Sequence, residues 1–189
     1  MQKLKEKILT EGRVIGTAIL KVDSFLNHQI DPRFTMEMGA ELASRFAGEG
    51  ITRVLTVEAS GIAVATATGL ALGVPVVFAK KGRASTQNAG VYAAEIFSFT
   101  RQEKVGIFVS SRFLGPEDTV LIVDDFLAHG EALRGMVDLV TQAGARLAGV
   151  GIVIEKVFQG GGKKLREQGV RLESLAAIKS MAEKFIEFF

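Results

Sequence analysis

The chain is expected to fold as an α/β protein, a mostly parallel twisted sheet flanked by helices. Two observations predict this. The runs RVLTVE, VPVVFAK, VGIFVSS, TVLIVDD and LAGVGIVIEK are short, rich in valine and isoleucine, and nearly continuous in apolar character. Continuous rather than alternating runs suit strands covered on both faces. Between several of them lie helix-like stretches, SGIAVATATGLALG and GEALRGMVDLVTQAGA, the second with apolar residues at Leu133, Met136, Val137 and Val140. Strands alternating with helices imply a doubly wound parallel sheet.

In chain order, residues 2–11 and 33–48 read as amphipathic helices, the second closed by Gly48-Glu49-Gly50. Between them AILKVDSFLNHQID holds a short apolar run and then a polar, irregular connection. The strand runs begin at residue 53. Residues 81–94, KGRASTQNAGVYAA, lack a clear period and read as one long mobile loop, a kind often functional. After Lys156 come a glycine turn, a short helix KKLREQG and the apolar segment VRLESLAAI. The apolar tail FIEFF is expected to pack against the body or a partner subunit.

A length of 189 residues fits one domain. The chain has no cysteine, which excludes disulfides, thiolate chemistry and cysteine-ligated zinc and is compatible with a reducing, cytoplasmic setting. The segment MQKLKEKILTEG has no continuous apolar core and is not expected to act as a signal peptide. No apolar run approaches the ~18 residues of a membrane span. A net charge of +2 gives no support to bulk nucleic-acid binding.

Several familiar signatures fail on inspection. QGGGKK lacks the Ser or Thr of a P-loop and has Val157 where its first glycine belongs. EASGI has Glu58 and Ile62 in the glycine places of a nucleophile elbow. GVGIVI lacks the third glycine of a dinucleotide fingerprint. His28 and His129, the only histidines, are too few and too far apart for an obvious metal cluster.

The stretch LIVDDFLAHGEAL carries more. Its apolar run ends in Asp124 and Asp125, expected at the carboxyl end of a strand, where open α/β sheets bind ligands. Adjacent strand residues face opposite ways, so the two carboxylates are expected to do different jobs. Ala128, His129, Gly130, Glu131 and Ala132 then lead into a helix, whose free N–H groups suit a phosphate. Carboxylates for a vicinal diol beside amides for a phosphate describe a ribose 5-phosphate. The plain alternative is an acidic turn that caps a helix.

An apolar strand, two acids and a glycine loop opening a helix resemble the ribose-phosphate signature of type I phosphoribosyltransferases, which use 5-phosphoribosyl 1-diphosphate (PRPP). VEASGIAVATATGLALGVPVVFAKK resembles that family's pyrophosphate loop, helix and following strand. KVDSFLNHQIDP resembles the xanthine-using branch, and with GIVIEKVFQ the likeness extends over nearly the whole chain. One departure is His129, where the wider family often has threonine before the loop glycine. A hydroxyl contact to phosphate is lost there, though a protonated histidine can donate instead.

The resemblance implies a type I phosphoribosyltransferase-like fold with a small hood from roughly residues 1–35 and 157–189. It also implies attack of a purine nitrogen on ribose C1 of PRPP, with magnesium present and pyrophosphate leaving. Asp124 and Asp125 would hold the ribose hydroxyls and the magnesium, directly or through water, and residues 128–132 the 5-phosphate. Glu58, Ala59, Ser60 and Gly61 would form the pyrophosphate loop, against the alternative that Ser60 simply caps a helix. Lys80, Lys81 and Arg83 are candidates to neutralise pyrophosphate, against the alternative of a solvated basic run. Lys156 can donate to a 6-oxo group but offers nothing to a 6-amino group. Its alternative is a snorkelling lysine. Asn27 can donate to the 2-oxo group of xanthine, unless it is a plain turn residue. Leu20 matches a branch position that gives backbone or apolar contact to the base, and Phe126 either stacks on the base or belongs to the core. A homodimer is the family expectation. The competing functions are a guanine- or hypoxanthine-preferring enzyme and a PRPP-binding transcription regulator, the latter needing a DNA-binding domain for which little chain remains.

Overall fold

The computed structural model describes residues 1–82, 90–98 and 103–189. The chain begins with helix α1 (Gln2–Glu11) and a hairpin of β1 (Arg13–Ile15) and β2 (Ile19–Lys21). A single π-helical turn, Asp23–Asn27, leads to α2 (Pro32–Arg45). Asp31 caps α2 by accepting from the Phe34 N–H at 3.1 Å, and Pro32 occupies the first helical position. That pairing sets the helix start one residue earlier than expected from periodicity, because proline's missing N–H costs nothing there. The helix ends at Arg45, short of the expected residue 48.

Then follow β3 (Arg53–Val57), α3 (Gly61–Leu72), β4 (Val76–Lys81), β5 (Val91–Ser98) and β6 (Glu103–Ser110). The last part comprises β7 (Thr119–Leu127), α4 (Glu131–Gln142), β8 (Arg146–Lys156), a 3-10 turn Val157–Gln159, α5 (Gly161–Glu167), β9 (Leu172–Ala182) and β10 (Phe185–Phe188). The expected long loop over 81–94 is corrected at both ends. Lys81 completes β4, and residues 91–94 open β5, which pairs with β6 from Val91↔Ser110 to Ser98↔Glu103. Main-chain pairing, which small residues such as Ala93 and Ala94 do not advertise, decides this segment. Residues 83–89 lie outside the described residues.

The main sheet has eight strands in the order β10-β9-β8-β7-β3-β4-β6-β5. From β9 to β4 neighbouring strands are parallel, and the edge strands are antiparallel. The chain winds outward one way through β3 and β4 and the other way through β7, β8 and β9. The switch between the two directions falls between β3 and β7, where open α/β sheets hold ligands.

Two cores flank the sheet. One joins α1, α2 and α3 to residues such as Val54, Leu121 and Val153. The other joins α4 and Leu165 to Leu55, Ile122 and Val150. Fully burying a leucine or valine of this kind contributes ~1.5–3 kcal/mol. The tail packs on the body: β10 pairs with β9, and Lys5 Nζ donates to the Phe189 carbonyl at 2.5 Å. Both chain ends therefore meet beside the middle of β9, Met1 at the Leu175 carbonyl and Phe189 at the Ala177 carbonyl.

Candidate active site

The turn from β3 to α3 contains Glu58, Ala59, Ser60 and Gly61. The Glu58–Ala59 peptide is cis. Ser60 makes no side-chain capping bond, so plain capping does not account for it. The Glu58 carboxylate accepts from the Lys81 N–H at 2.6 Å, tying this turn to the end of β4. A Cβ on Gly61 would lie 2.3 Å from Thr56 Oγ1 and 2.6 Å from Asp124 Oδ1. Only glycine lets the first turn of α3 settle this closely on β3 and β7.

The acid pair is not at the strand end. β7 continues to Leu127, because pairing with β8 persists to Phe126↔Ile154 and Leu127↔Glu155. Asp124 and Asp125 are thus strand residues, both buried, at 6% and 7% exposure. Their surroundings differ. Asp124 accepts from the Asp125 N–H at 2.9 Å and faces the α3 turn. Burial first, and then the neighbouring Asp125 charge, hold its carboxyl well above the ordinary aspartate range, while Lys81 pulls the other way. Asp125 instead accepts from Asn27 Nδ2 at 2.5 Å, a contact from the N-terminal segment.

After β7, residues 128–132 make the expected turn into α4. Gly130 has φ of 85°, a left-handed conformation that glycine adopts without a Cβ penalty. Helix α4 then starts at Glu131, which pairs with Arg134. No side chain caps this helix, so its first N–H groups are left for another acceptor. The loop is backed by Gly161, whose N–H donates to the Ala128 carbonyl at 3.1 Å.

Lys156 is the last residue of β8. Its Nζ donates to the Ala18 carbonyl of the hairpin at 2.9 Å and lies 5.3 Å from the centre of the Phe126 ring. Burial pulls this ammonium below the usual lysine value. Glu155 faces the opposite way and is almost fully buried. Asn27 is exposed apart from its bond to Asp125. Leu20 is different: its side chain lies in the core, leaving its backbone as the part able to face a ligand. Phe126 is half-buried against the same core, with Lys156 over its ring. Lys80 and Lys81 are exposed at the end of β4; Arg83 lies outside the described residues.

The structure therefore brings together Asp124 with Gly61, Asp125 with Asn27, and Lys156 with Phe126. A model of the phosphoribosyl transferase domain matches residues 29–176. The chain belongs to the phosphoribosyltransferase family. It is 68% identical over 188 residues to a protein of Heliobacterium modesticaldum named xanthine phosphoribosyltransferase, covering 100% of each chain. A protein of the same name from Moorella thermoacetica is 61% identical, covering 100% of this chain and 96% of its own. Among solved structures, adenine phosphoribosyltransferase from Rhodothermus marinus superposes with a TM-score of 0.74 at 21% identity, over 94% of this chain and 99% of that one. That likeness concerns the phosphoribosyltransferase fold.

The domain match begins after Leu20 and Asn27, whereas the relatives named for xanthine align along the full length. The acid pair and residues 128–132 thus lie inside the matched domain, and Leu20 and Asn27 precede it. Reading the sequence missed Ala18 as the acceptor of Lys156, and Gly161, Glu155 and Arg166 as the backing of the loop. QGGGKK held a signal, its run of glycines, but it pointed to a turn and nothing more.

Proposed function

We propose that the chain transfers the 5-phosphoribosyl group of PRPP to xanthine, giving xanthosine 5′-monophosphate and pyrophosphate for purine salvage. The observation that carries this reading is the Asn27–Asp125 hydrogen bond. It sets a donor suited to a purine 2-oxo group beside a carboxylate suited to ribose hydroxyls. Lys156, on the next strand, offers a second donor for the 6-oxo group.

The reaction passes positive charge to the ribose ring and negative charge to departing pyrophosphate. No protein nucleophile is needed; positioning, charge stabilisation and exclusion of water suffice. Asp125 accepts from the ribose hydroxyls, and Asp124 supplies a second carboxylate close to the α3 turn. The amides of 128–132 hold the 5-phosphate, while Ala59, Ser60, Gly61 and Lys81 receive pyrophosphate. Asn27 and Lys156 orient xanthine through its oxo groups, and Leu20 contributes backbone at the base side.

Magnesium fits this donor set. Among the described residues no three acids or histidines form a metal cluster, but two adjacent carboxylates with substrate oxygens are the donors magnesium takes. When bound, it supplies charge neutralisation for the leaving pyrophosphate. The protein's part is to hold Asp124 and Asp125 in place for it.

A homodimer and a cytoplasmic location complete the proposal. Exposed Phe78 and Phe113 line an open cleft of ≈ 500 Å³ over β4 and β6, the kind of apolar surface a second subunit covers. No described helix is long and apolar enough to cross a membrane. The test of function supplies PRPP, magnesium and xanthine to the purified chain and follows pyrophosphate and nucleotide together. Equimolar release of the two is expected; pyrophosphate release without nucleotide would refute transfer to the base.

A further inference from the structure

Behind the phosphate loop lies a part of the molecule that the chemistry above does not use. A Cβ on Gly161 would meet the Ala128 carbonyl at 2.4 Å, Gly130 N at 2.7 Å and His129 C at 2.7 Å, all of them backbone. From the other side, a Cβ on Gly130 would lie 3.3 Å from Gly161 Cα. The two segments touch backbone to backbone and are joined by the Gly161 N–H to Ala128 carbonyl bond. The next residue repeats the pattern: a Cβ on Gly162 would lie 2.0 Å from Glu155 Oε1 and 2.8 Å from Arg166 Nη1.

Glu155 is 1% exposed and fully engaged. Arg166 Nη1 and Nη2 donate to its two oxygens at 2.7 and 2.8 Å, and Ser174 Oγ donates at 2.6 Å. Burial pushes its carboxyl up, but the Arg166 and Ser174 bonds outweigh this and leave it below the ordinary value. A two-pronged guanidinium contact of this kind fixes direction as well as distance. It sets the end of β8 against α5, and so fixes the place of Gly161. Leu165 shares a core with Leu127 and Leu133, the residues flanking the loop on β7 and α4.

We propose that Gly161, held by the Glu155–Arg166 pair, is a positioning residue for the 5-phosphate of PRPP. Its bare backbone is the floor on which residues 128–130 rest, and it sets where their N–H groups aim. Any side chain there lifts the loop. A misplacement of about 1 Å can cost ~10²-fold in a reaction that depends on positioning. Because Glu155 and Lys156 are adjacent on β8, the floor of the phosphate loop and the donor to the base share one strand end.

This inference rests on the assignment of residues 128–132 to the 5-phosphate, and the experiment separates the two. Ribose 5-phosphate binding is measured on the full chain by calorimetry, and the KM values for PRPP and xanthine by turnover. Gly161→Ala is expected to weaken ribose 5-phosphate and raise the KM for PRPP by roughly tenfold or more, leaving the KM for xanthine within about twofold. Gly160→Asn is the neighbouring control, since that position has φ of 78° and open space around its Cβ. It is expected to change neither constant. Should Gly161→Ala fail to fold, Arg166→Lys keeps the charge but loses the fork, and a rise confined to the KM for PRPP is expected. A wild-type protein that binds no ribose 5-phosphate would overturn the loop assignment itself. Wild-type-like phosphate constants in the folded variants, or equal losses for PRPP and xanthine, would overturn the positioning role.

Discussion

In the half of the site proposed for the phosphate, backbone rests on backbone: Gly161 donates to Ala128, and Gly130 sits against Gly161 with no side chain between them. In the base half, side chains reach across from separate segments, Asn27 to Asp125 and Lys156 to the Ala18 carbonyl. If the first arrangement receives the phosphate as proposed, no side chain has to move from between the two backbones, and binding there costs little reorganisation. The second must trade existing hydrogen bonds for new ones, so only the difference between them favours the base. On the proposed assignment, a substrate part common to every phosphoribosyl transfer meets the backbone-built half, and the part that varies meets the exchangeable half.

The comparison can be broken at several points. The largest effect is expected where the halves join. Asp125→Ala removes the ribose acceptor and also frees Asn27, and should lower kcat by ~10²–10³-fold, as loss of a preorganised electrostatic contact does. A melting curve close to wild type would show that the fold survives; near-full activity would remove Asp125 from the ribose site. Lys156→Ala comes next. Loss of a charged donor to a 6-oxo group should raise the KM for xanthine by about 10–100-fold, with little change for PRPP. Equal rises for both would mean that Lys156 serves only to tie β8 to the hairpin through Ala18.

Asn27→Ala should act on selectivity rather than speed. The ratio of kcat/KM for xanthine over hypoxanthine is expected to fall by roughly tenfold, the worth of one hydrogen bond to the 2-oxo group. An unchanged ratio would leave Asn27 a partner of Asp125 and nothing more.

The smallest effect concerns stability. A carboxyl held above its unfolded value favours the folded state at low pH, and that advantage is lost as pH rises through the folded value. Asp124 therefore contributes less to stability at neutral pH than at low pH. Asp124→Asn keeps the oxygen that accepts from Asp125 N–H, and in magnesium-free protein should raise Tm at neutral pH. The gain should vanish below about pH 4, where aspartate is protonated in the unfolded chain as well. A Tm difference independent of pH would argue that the charge is not the cause.

Much of this was legible before any coordinates. The continuous apolar runs of β3, β7 and β8 are buried on both faces and read as such, whereas β4 reads the same way but is only partly covered, with Phe78 exposed. The acids and Lys156 stood out because polar groups at the ends of apolar runs need a reason, the loop 128–132 because it opens a helix, and Asn27 only through the family resemblance of its segment. What escaped was long-range. Pairing with β8 carries β7 past its acids to Leu127, and no local pattern shows that. Strand β5 hid inside a polar, alanine-containing stretch because its partner, β6, supplies the bonds. Gly161 looked like any turn glycine, since its partners Ala128 and Gly130 lie on a different strand end.

The most direct test is a competition. The purified chain receives limiting PRPP, magnesium and equal concentrations of xanthine, guanine and hypoxanthine, and the nucleotides formed are separated and counted. Xanthosine 5′-monophosphate should dominate the products. A majority of guanosine or inosine 5′-monophosphate, or no nucleotide at all, would contradict the account.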